Sequence, residues 1–537
     1  MKRLFNNFTF NPKNDFLSGM TVALALVPEA VAFAFVAGVD PLVGLYGAFI
    51  MGIVTSLFGG RPGMISGATG AMAVVMVHLI QKGNIVGESL ADPVDNLGLY
   101  WLFFTLIIVG FIQISAGVFK LGKFVRLIPH PVMMGFVNGL AIVIFLSQLN
   151  LFKETSNGVV DWMQGKTLFI MLGLVSLTML IMYLLPKITK KIPAALVAII
   201  CVAGLTILGN IDVSTVGSFI TDGGGTGLEG SLPTFQANTF KLLGTIAGNW
   251  SLILSTACLL AAVGLIESLM TLNLVDELTD SRGSGNRECL AQGSANILSG
   301  LFGGMGGCAM IGQSIINVNS GGRGRLSGVV ASIALLCFIL FGAPLIEQIP
   351  IAALVGVMFM VVIGTFAWSS FRIMRKIPIS DAVVLIVVSL VTVWQDLAIA
   401  VLVGVIISAL VFAWKNALMI RARKKIKPDG TKVYEIWGPL FFGSVQNFNT
   451  KFDVKNDPKK IEIDFIESKV NDHSGIEAID NIVNKYLNAG KKVKLTHLSP
   501  ECKTLLLKAN PSFNEIIQTS IDDPRYYVVT DLMDVEV

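Results

Sequence analysis

The sequence predicts an all-α polytopic membrane domain of about 14 spans, arranged as two inverted halves of seven, followed by a small α/β domain. Three observations predict this fold class. Of the 537 residues, 53% are hydrophobic and only 14% are charged, with a mean hydropathy of +0.71. The chain becomes charged and soluble in character beyond residue 420, and a glycine-rich phrase occurs twice in the apolar region. About a quarter of the residues in a typical soluble domain are charged, so this composition excludes a protein built around a single soluble core.

The apolar region, residues 14–420, contains several runs that are long enough to cross a bilayer. Leu99–Phe119 and Leu168–Leu185 are two of them, and a spanning helix needs about 20 apolar residues. The predicted spans are 16–36, 41–58, 64–81, 98–119, 127–149, 167–186, 192–209, 248–273, 287–302, 307–319, 326–346, 351–371, 379–394 and 396–419. Residues 1–13 form a short polar segment before the first span.

The charged residues between the spans predict the orientation of the chain. The loops on the side of the N-terminus contain Arg61, Lys120, Lys123, Arg126, Lys187, Lys190, Lys191, Arg282, Arg287, Arg323, Arg325, Arg372, Arg375 and Lys376. The opposite loops contain Glu88, Asp92, Asp95, Asp161, Asp212, Asp222, Glu229 and Asp396, together with Lys82, Lys153, Lys166 and Lys241. Because cytoplasmic loops are enriched in Lys and Arg, we expect both termini in the cytoplasm. The expected location is the plasma membrane, which is the inner membrane in a bacterium.

The repeated phrase predicts an internal repeat. Leu57–Gly60 and Leu301–Gly304 both read Leu-Phe-Gly-Gly, and Ile128–Gly135 resembles Ile349–Gly356 in its Ile-Pro start and its final glycine. The pairs follow the same order in both halves. An odd number of spans in each half gives the halves opposite orientations, which is the inverted repeat of many secondary transporters.

The repeated phrase introduces the third and tenth spans, which are too short to cross the membrane as ordinary helices. Each is predicted to be a half-helix with an extended lead. Two such helices would present their N–H groups and positive dipole ends to an anion near the midplane. The candidate binding residues are Thr69 and Gly70 in the first lead, and Cys308, Ala309, Met310 and Ile311 in the second. The alternative is that these glycines only allow close helix packing.

Two carboxylates lie within predicted spans, where an unpaired charge is costly. Glu267 has Thr271 one turn further along the same face, and the pair could hold Na⁺ or relay H⁺. The alternative for Glu267 is a carboxylate satisfied by a backbone or hydroxyl partner. Glu29 follows Pro28, which breaks the helix locally, and it either lines the cavity or bonds to the freed backbone groups.

These residues lie in stretches that resemble the SulP family of anion transporters. The resemblance rests on "VPEAVAFAFVAGVDPLVGLYGAF", on "GATGAM" and on "GLIESLMTLNLVDELTDSRGSGNRECLAQGSANILSGLFGGMGGCAMIGQS", and it covers essentially the whole chain. It implies a seven-plus-seven inverted repeat with a core and a gate domain, elevator-type alternating access, a cytoplasmic STAS domain and a homodimer.

The resemblance also implies roles for particular residues. Glu267 matches the family's acidic position in span eight, where aspartate helps to bind Na⁺ and glutamate often accompanies proton coupling, so both ions stay open. Thr69 matches the threonine of a "PTGP"-like motif, in which Ala68 and Ala71 replace the prolines here. Ala309, Met310 and Ile311 match the backbone site of span ten, and Met310 and Ile311 replace smaller or polar residues. Glu29 stands where many members carry glutamine.

The segment beyond residue 420 is predicted to be a basic linker, 421–429, and an α/β domain, 430–537. Strands are predicted in "KVYEIWGPLFFGSV", "KIEIDFIESKV" and "KKVKLTHLS", and an amphipathic helix in "GIEAIDNIVNKYLNAG". This alternation resembles a STAS domain. Ser474 then lies where soluble relatives carry a phosphorylatable serine, and the alternative is a helix N-cap.

The predicted function is secondary active transport of a small anion, with bicarbonate or sulfate as the leading substrates and Na⁺ or H⁺ coupled through Glu267. The alternatives are an uncoupled anion exchanger, an anion channel or a dicarboxylate transporter. We expect no enzymatic activity and no cofactor, with Na⁺ only as a candidate coupling ion. The expected partners are the anion, membrane lipid, a second copy of the chain and a cytoplasmic partner of the STAS domain, and nucleic acid is not expected.

Overall fold

A computed structural model of the chain describes residues 11–90, 92–122, 129–156, 159–188, 194–222, 230–246, 248–394 and 397–518. The chain divides into two compact units, Met1–Val405 and Ile406–Val537. Six of the charged residues used to predict orientation lie outside the described residues: Lys123, Arg126, Lys190, Lys191, Glu229 and Asp396.

The part of the chain before residue 418 is almost entirely helical. Its helices are α1 (Pro12–Ala37), α2 (Pro41–Phe58), α3 (Gly70–Glu88), α4 (Leu97–Val118), α5 (His130–Gln148), α6 (Gly165–Ile188), α7 (Ala194–Leu208), α8 (Val216–Asp222), α9 (Asn238–Lys241), α10 (Trp250–Thr279), α11 (Gly285–Leu301), α12 (Ile311–Asn319), α13 (Arg325–Glu347), α14 (Ile351–Thr365), α15 (Ser369–Ile373), α16 (Ile379–Trp394) and α17 (Leu397–Ala417). Among the described residues, fourteen of these helices have nine or more residues, seven before residue 210 and seven from residue 250 onward. Each of the fourteen overlaps one of the predicted spans.

Length and composition qualify nine helices of the described ranges as candidate membrane spans, and α7, α16 and part of α17 are shorter apolar helices. The predicted ninth and tenth spans are not among them. α11 carries buried polar side chains at four-residue spacing, and α12 has only nine residues. The third span, predicted to be a half-helix, is the 19-residue α3 and is among the nine, so the prediction of a helix too short to cross the membrane is wrong for α3, and only α12 is that short.

The predicted extended leads are short strands that pair with each other. β1 (Ser66–Ala68) precedes α3, and β4 (Gly307–Ala309) precedes α12. The two strands are antiparallel, with Gly67 opposite Cys308. α3 and α12 consequently extend from opposite ends of the strand pair, and both N-termini adjoin it. Between them in sequence, β2 (Lys153–Ser156) and β3 (Val159–Trp162) form a separate hairpin.

The second unit contains a four-stranded sheet. Its strands, in spatial order, are β5 (Arg421–Ile426), β6 (Lys432–Trp437), β7 (Lys460–Glu467) and β8 (Lys492–Thr496); β5 is antiparallel to β6, and the other neighbours are parallel. The helices of this unit are α18 (Val445–Asn449), α19 (His473–Asn488) and α20 (Pro500–Ala509). Tyr434, Ile463, Leu495 and Ile479 are fully buried in its core.

One prediction about this unit is wrong. The sequence predicted that residues 421–429 are a linker, but Arg421–Ile426 is the edge strand β5, bonded to β6 along its length. The charged side chains of β5 hid its strand character because the strand lies at the edge of the sheet and five of its six residues are exposed. Lys and Arg are common on edge strands, where they discourage pairing with other chains.

Candidate functional site

The N-termini of α3 and α12 are the centre of the candidate site. Thr69 and Met310 are the N-cap residues, both extended, and neither side chain bonds to the first turn of its helix. A threonine at an N-cap usually accepts a hydrogen bond from the helix. Because no side chain caps them here, the first-turn N–H groups and the positive ends of both helices are available to an anion.

Glycine is required where the two strands approach each other. A Cβ atom at Gly307 would lie 2.2 Å from the backbone oxygen of Gly67, and one at Gly67 would lie 3.0 Å from Met310 Sδ. Gly312, in the first turn of α12, is different, since it is exposed and a Cβ there would meet nothing within 4 Å. The strand pair is therefore tightly built, whereas open space lies beside the start of α12.

A polar stripe on α11 supports the strand pair. Asn296 donates to the carbonyl oxygen of Gly307 at 3.1 Å and accepts from its N–H group at 3.1 Å. Gln292 donates to Ser66 Oγ at 2.8 Å and to Glu288 Oε1 at 2.7 Å. Both amides are fully buried. They hydrogen-bond to the Ser66 hydroxyl and to the Gly307 backbone, and so satisfy polar groups of the two strands that no helix satisfies.

Three predicted site residues form a continuous chain of contacts. Cys308 Sγ donates to Glu267 Oε2 at 2.9 Å, and Thr69 Oγ1 lies 3.1 Å from Cys308 Sγ. The chain links the N-cap of α3, the middle of β4 and α10. Thr69 also makes a longer polar contact with the Glu267 carboxylate itself, so the N-cap of α3 and Glu267 are joined both directly and through the sulfur.

Thr271 and Ser268 hold α10 against β4. Thr271 Oγ1 donates to the backbone oxygen of Glu267 at 2.8 Å and lies 3.4 Å from that of Ala309, while Ser268 Oγ accepts from Ala309 N at 3.0 Å. The carboxylate and hydroxyl oxygens of Glu267 and Thr271 are of the type that a hard cation prefers. The hydrogen of the Thr271 hydroxyl is directed to backbone oxygen rather than to the Glu267 carboxylate, which leaves the lone pairs of Thr271 Oγ1 for a cation.

Glu29 of α1 lies near the second half-helix. Its half-buried carboxyl group is next to the side chain of Gln313, in the first turn of α12. Gln313 is 1% exposed, and neither polar atom of its amide has a hydrogen-bond partner of normal length among the described residues. The polar contact between Gln313 and Glu29 is therefore longer than a normal hydrogen bond, and the position of this amide next to an uncapped helix N-terminus suits a polar ligand.

A cavity of about 680 Å³ lies beside the C-terminal half of α10, lined by Leu272, Asn273, Asp280 and Arg282 among others. Asp276, which also lines it, forms an ion pair with the buried Arg61 at 3.1 Å. Arg61, predicted only as a charge of a cytoplasmic loop, therefore joins the loop after α2 to α10.

Ser474 belongs to the C-terminal unit. It is the second residue of α19, and the N-cap is Asp472, whose carboxylate accepts from Gly475 N at 2.9 Å. The predicted alternative, a capping role for Ser474, is therefore wrong, because Asp472 already occupies the capping position.

Sequence reasoning missed several buried polar residues around the strand pair: Gln113, Ser268, Gln292, Asn296 and Gln313. For the α11 residues a signal was present, since Glu288, Gln292 and Asn296 recur every fourth residue and share one helix face. No such pattern marks Gln313 in the sequence. What distinguishes this residue is its position in the first turn of α12, which only the structure shows.

Comparison with known proteins agrees with this architecture. Residues 13–388 match the model of the sulfate permease family, and residues 422–523 match that of the STAS domain. A putative sulfate transporter of Bacillus subtilis, YbaR, is 41% identical over 512 residues, which cover 93% of this chain and 99% of that protein.

Two solved structures are also similar. The transmembrane domain of a cyanobacterium bicarbonate transporter, BicA, has a TM-score of 0.60 at 30% identity and covers 75% of this chain and 98% of its own. Murine Solute Carrier 26 family member A9, an anion transporter, has a TM-score of 0.76 at 16% identity, covering 97% of this chain and 91% of its own, which is a likeness of fold. The resemblance read from the sequence is thereby confirmed, and the chain belongs to the sulfate permease family, with a STAS domain at residues 422–523.

Proposed function

We propose that this chain is a secondary active transporter of a small anion, bicarbonate or sulfate, coupled to Na⁺ or H⁺ through Glu267. The observation that carries the proposal is the junction of two uncapped helix N-termini with the half-buried carboxylate of Glu267, through Thr69, Cys308 and the strand pair. One half of this junction suits an anion and the other half suits a cation.

The chemistry of the anion side favours a small oxyanion. Residues 66–73 and 307–315 contain no Lys or Arg, so backbone N–H groups and helix dipoles would supply the attraction. Oxyanions such as bicarbonate and sulfate accept several N–H bonds at once. The names of the similar proteins, a putative sulfate transporter and a bicarbonate transporter, support the same two substrates.

The carboxylate of Glu267 supports coupling. An anion near an ionised carboxylate in a medium of low dielectric constant is strongly repelled, and a cation that neutralises the carboxylate removes this repulsion. Anion and cation therefore favour each other's binding. We propose that the core domain then carries both across the membrane in an elevator-type movement, with Na⁺ or H⁺ as cargo beside the anion.

The proposal includes location and assembly. We place the chain in the plasma membrane, the inner membrane in a bacterium, with both termini in the cytoplasm, as the loop charges predict. We also propose a homodimer in contact with membrane lipid, and a regulatory role for the STAS domain that involves Ser474 and a cytoplasmic partner.

Ligand-dependent thermal stability of the purified full-length protein tests the choice of substrate. A ligand that binds the folded state raises the melting temperature with its concentration. We expect saturable stabilisation by bicarbonate or sulfate, and less by fumarate. Stabilisation by fumarate alone would favour the dicarboxylate alternative, and no stabilisation by any of the three anions would contradict the proposed site.

A further inference from the structure

We propose that the C-terminal unit binds the headgroups of anionic phospholipids with a surface that surrounds the end of α17. This surface, the collar, consists of Leu418, Arg421, Arg423, Trp437 and Phe442, which all belong to the unit Ile406–Val537. The inference goes beyond the proposed transport function, because a lipid-binding role of the collar does not depend on which anion or cation is carried.

The exposed face of α17 leads directly to the collar. Ile406, Leu410 and Trp414 are exposed, and their four-residue spacing places them on one side of the helix. Leu418 follows at the same spacing, is also exposed, and bonds through its N–H group to the backbone oxygen of Trp414 at 3.2 Å. An exposed apolar face suits lipid, and a tryptophan near the end of such a helix is typical of the membrane–water interface. The membrane surface is therefore expected close to the end of α17.

The C-terminal unit is packed against this end of the helix. Asn447 Nδ2 donates to the backbone oxygen of Ala417, the last residue of α17, at 3.0 Å. A Cβ atom at Gly443 would lie 3.3 Å from Ala417 Cβ. Phe442 directly precedes Gly443, and its side chain is 69% exposed. A large apolar side chain that is held beside the end of a membrane helix and left exposed suits contact with lipid.

The basic part of the collar lies on the edge strand β5. Arg421 is four residues beyond the end of α17, and four residues span at most about 14 Å. Arg421 and Arg423 are exposed and share one face of the strand. Trp437 of β6 lies opposite Arg421 and is also exposed. An arginine and a tryptophan are thus neighbours on the part of the sheet that follows the membrane helix most closely in sequence.

The two arginines carry the positive charge of β5 that is left unpaired. Lys425 Nζ lies 2.6 Å from Glu435 Oε1, so it neutralises the carboxylate that lies opposite Arg423 in β6. Lys424 lies over the ring of Tyr434. Within the described ranges, the side chains of Arg421 and Arg423 have no ion-pair or hydrogen-bond partner.

An anionic phospholipid fits this combination of groups. Guanidinium groups bind phosphate through two parallel hydrogen bonds, and basic residues next to a membrane helix attract anionic headgroups. Each arginine is expected to raise the affinity for such a lipid by a factor of about five. A second copy of the chain fits less well, because two collars that face each other would bring like charges together.

The experiment measures the dissociation constant for phosphatidylglycerol of the purified full-length protein, from the lipid-dependent rise of its melting temperature in mixed micelles of detergent and phosphatidylcholine. We expect saturable stabilisation of the wild-type protein, weakened by added salt. Arg421→Gln combined with Arg423→Gln should raise the dissociation constant about 25-fold. Lys492→Gln combined with Lys494→Gln makes the same change of charge at exposed positions of β8, on the opposite edge of the sheet, and should leave it unchanged.

Hydrogen exchange in lipid nanodiscs locates the contact. Peptides that cover residues 418–426 and 438–444 should exchange more slowly when phosphatidylglycerol is added to phosphatidylcholine, and the double arginine variant should lose this difference. Equal stabilisation by the two lipids, or the same dissociation constant in the arginine and lysine variants, would overturn the inference.

Two further results would assign the collar to another occupant and so overturn the inference as well. Stabilisation by inorganic phosphate that the double arginine variant abolishes would identify a site for a free anion. A change from dimer to monomer in that variant, with unchanged affinity for phosphatidylglycerol, would identify a contact between two copies of the chain. Failure in any of these ways leaves the proposed transport function in place, since none of the measurements involves the transported ions.

Discussion

Individual polar residues in the apolar region determine what the site can bind. Glu267 and Glu29 approach the strand pair and α12 from different helices, and their neighbours differ. Glu267 has a hydrogen-bond donor in Cys308, whereas Glu29 lies next to an amide with no partner of normal length among the described residues. The two carboxylates are therefore expected to differ in role, one holding the cation and the other adding negative charge near the anion.

The substitution Glu29→Gln should strengthen anion binding. It removes a negative charge near the start of α12 while keeping the size of the side chain, and the expected fall in the apparent KM for the anion is about tenfold. Initial-rate uptake at varied anion concentration measures this. Glu88→Gln, an exposed carboxylate at the end of α3, is the control. An increase in KM would show that Glu29 supports binding instead.

The strand pair is the element on which the site depends. Three-residue strands contribute few hydrogen bonds of their own, and the amides of Gln292 and Asn296 supply others. Short strands with a buried polar support tolerate little displacement, because every lost bond leaves a backbone group unsatisfied in an apolar interior.

Gly307→Ala should destabilise the protein. Its Cβ would approach Gly67 O to 2.2 Å, so the strands have to separate, at an expected cost of about 3 kcal/mol. The melting temperature should fall, and anion-dependent stabilisation should be lost. Gly173→Ala in α6, where a Cβ meets nothing within 4 Å, is the matched control. Equal melting temperatures for the two variants would contradict the close packing described here.

In the C-terminal unit, the buried carboxylate of Asp457 holds neighbouring elements together by hydrogen bonds, as Gln292 and Asn296 do at the strand pair. It accepts hydrogen bonds from Lys432 at 2.5 Å, Tyr434 at 2.6 Å and Tyr486 at 2.5 Å. Burial by itself raises the pKa of Asp457, but these three donors outweigh it and hold the pKa below its usual value. A carboxylate with a lowered pKa stabilises the fold above its unfolded pKa of about 4, and this contribution is lost as the pH falls further.

The C-terminal domain should therefore open more readily below about pH 4, and Asp457→Asn should weaken it already at neutral pH. Hydrogen exchange of peptides covering β6 and β7 in the full-length protein measures both effects. Glu477→Gln on the exposed face of α19 is the control. Faster exchange in Asp457→Asn at pH 7, with a smaller further change in acid, is the expected pattern. Greater protection of these peptides from exchange as the pH falls would contradict the predicted loss of stability in acid.

At the scale of the whole molecule, the sequence predicted the helices well because most of them are long, strongly apolar segments. The predicted span 379–394 coincides with α16, and 41–58 coincides with α2. The repeated Leu-Phe-Gly-Gly phrase located the two leads, but not their pairing, which depends on contacts between residues about 240 positions apart. The strand β5 was missed because it is a charged edge strand.

The same limit applies to the candidate site. Glu267, Thr69 and Cys308 were predicted as site residues from their positions, but only the fold brings the three side chains into contact with one another. Gln313 could not be predicted from sequence, because an isolated glutamine in a short helix gives no periodic signal. The sequence shows which polar residues lie within apolar segments and are therefore costly to bury. Which of these residues contact one another follows only from the packed structure.

Uptake of radiolabelled bicarbonate and sulfate into proteoliposomes tests the central claim most directly. The protein is reconstituted as wild type, as Glu267→Gln and as Glu88→Gln, an exposed carboxylate at the end of α3. Each is measured with an inward Na⁺ gradient, an inward H⁺ gradient and no gradient. Coupling through Glu267 predicts accumulation driven by one of the two gradients, retained in Glu88→Gln and lost in Glu267→Gln. Equal flux under all three conditions, unchanged in Glu267→Gln, would contradict coupling through Glu267 and identify an exchanger or a channel.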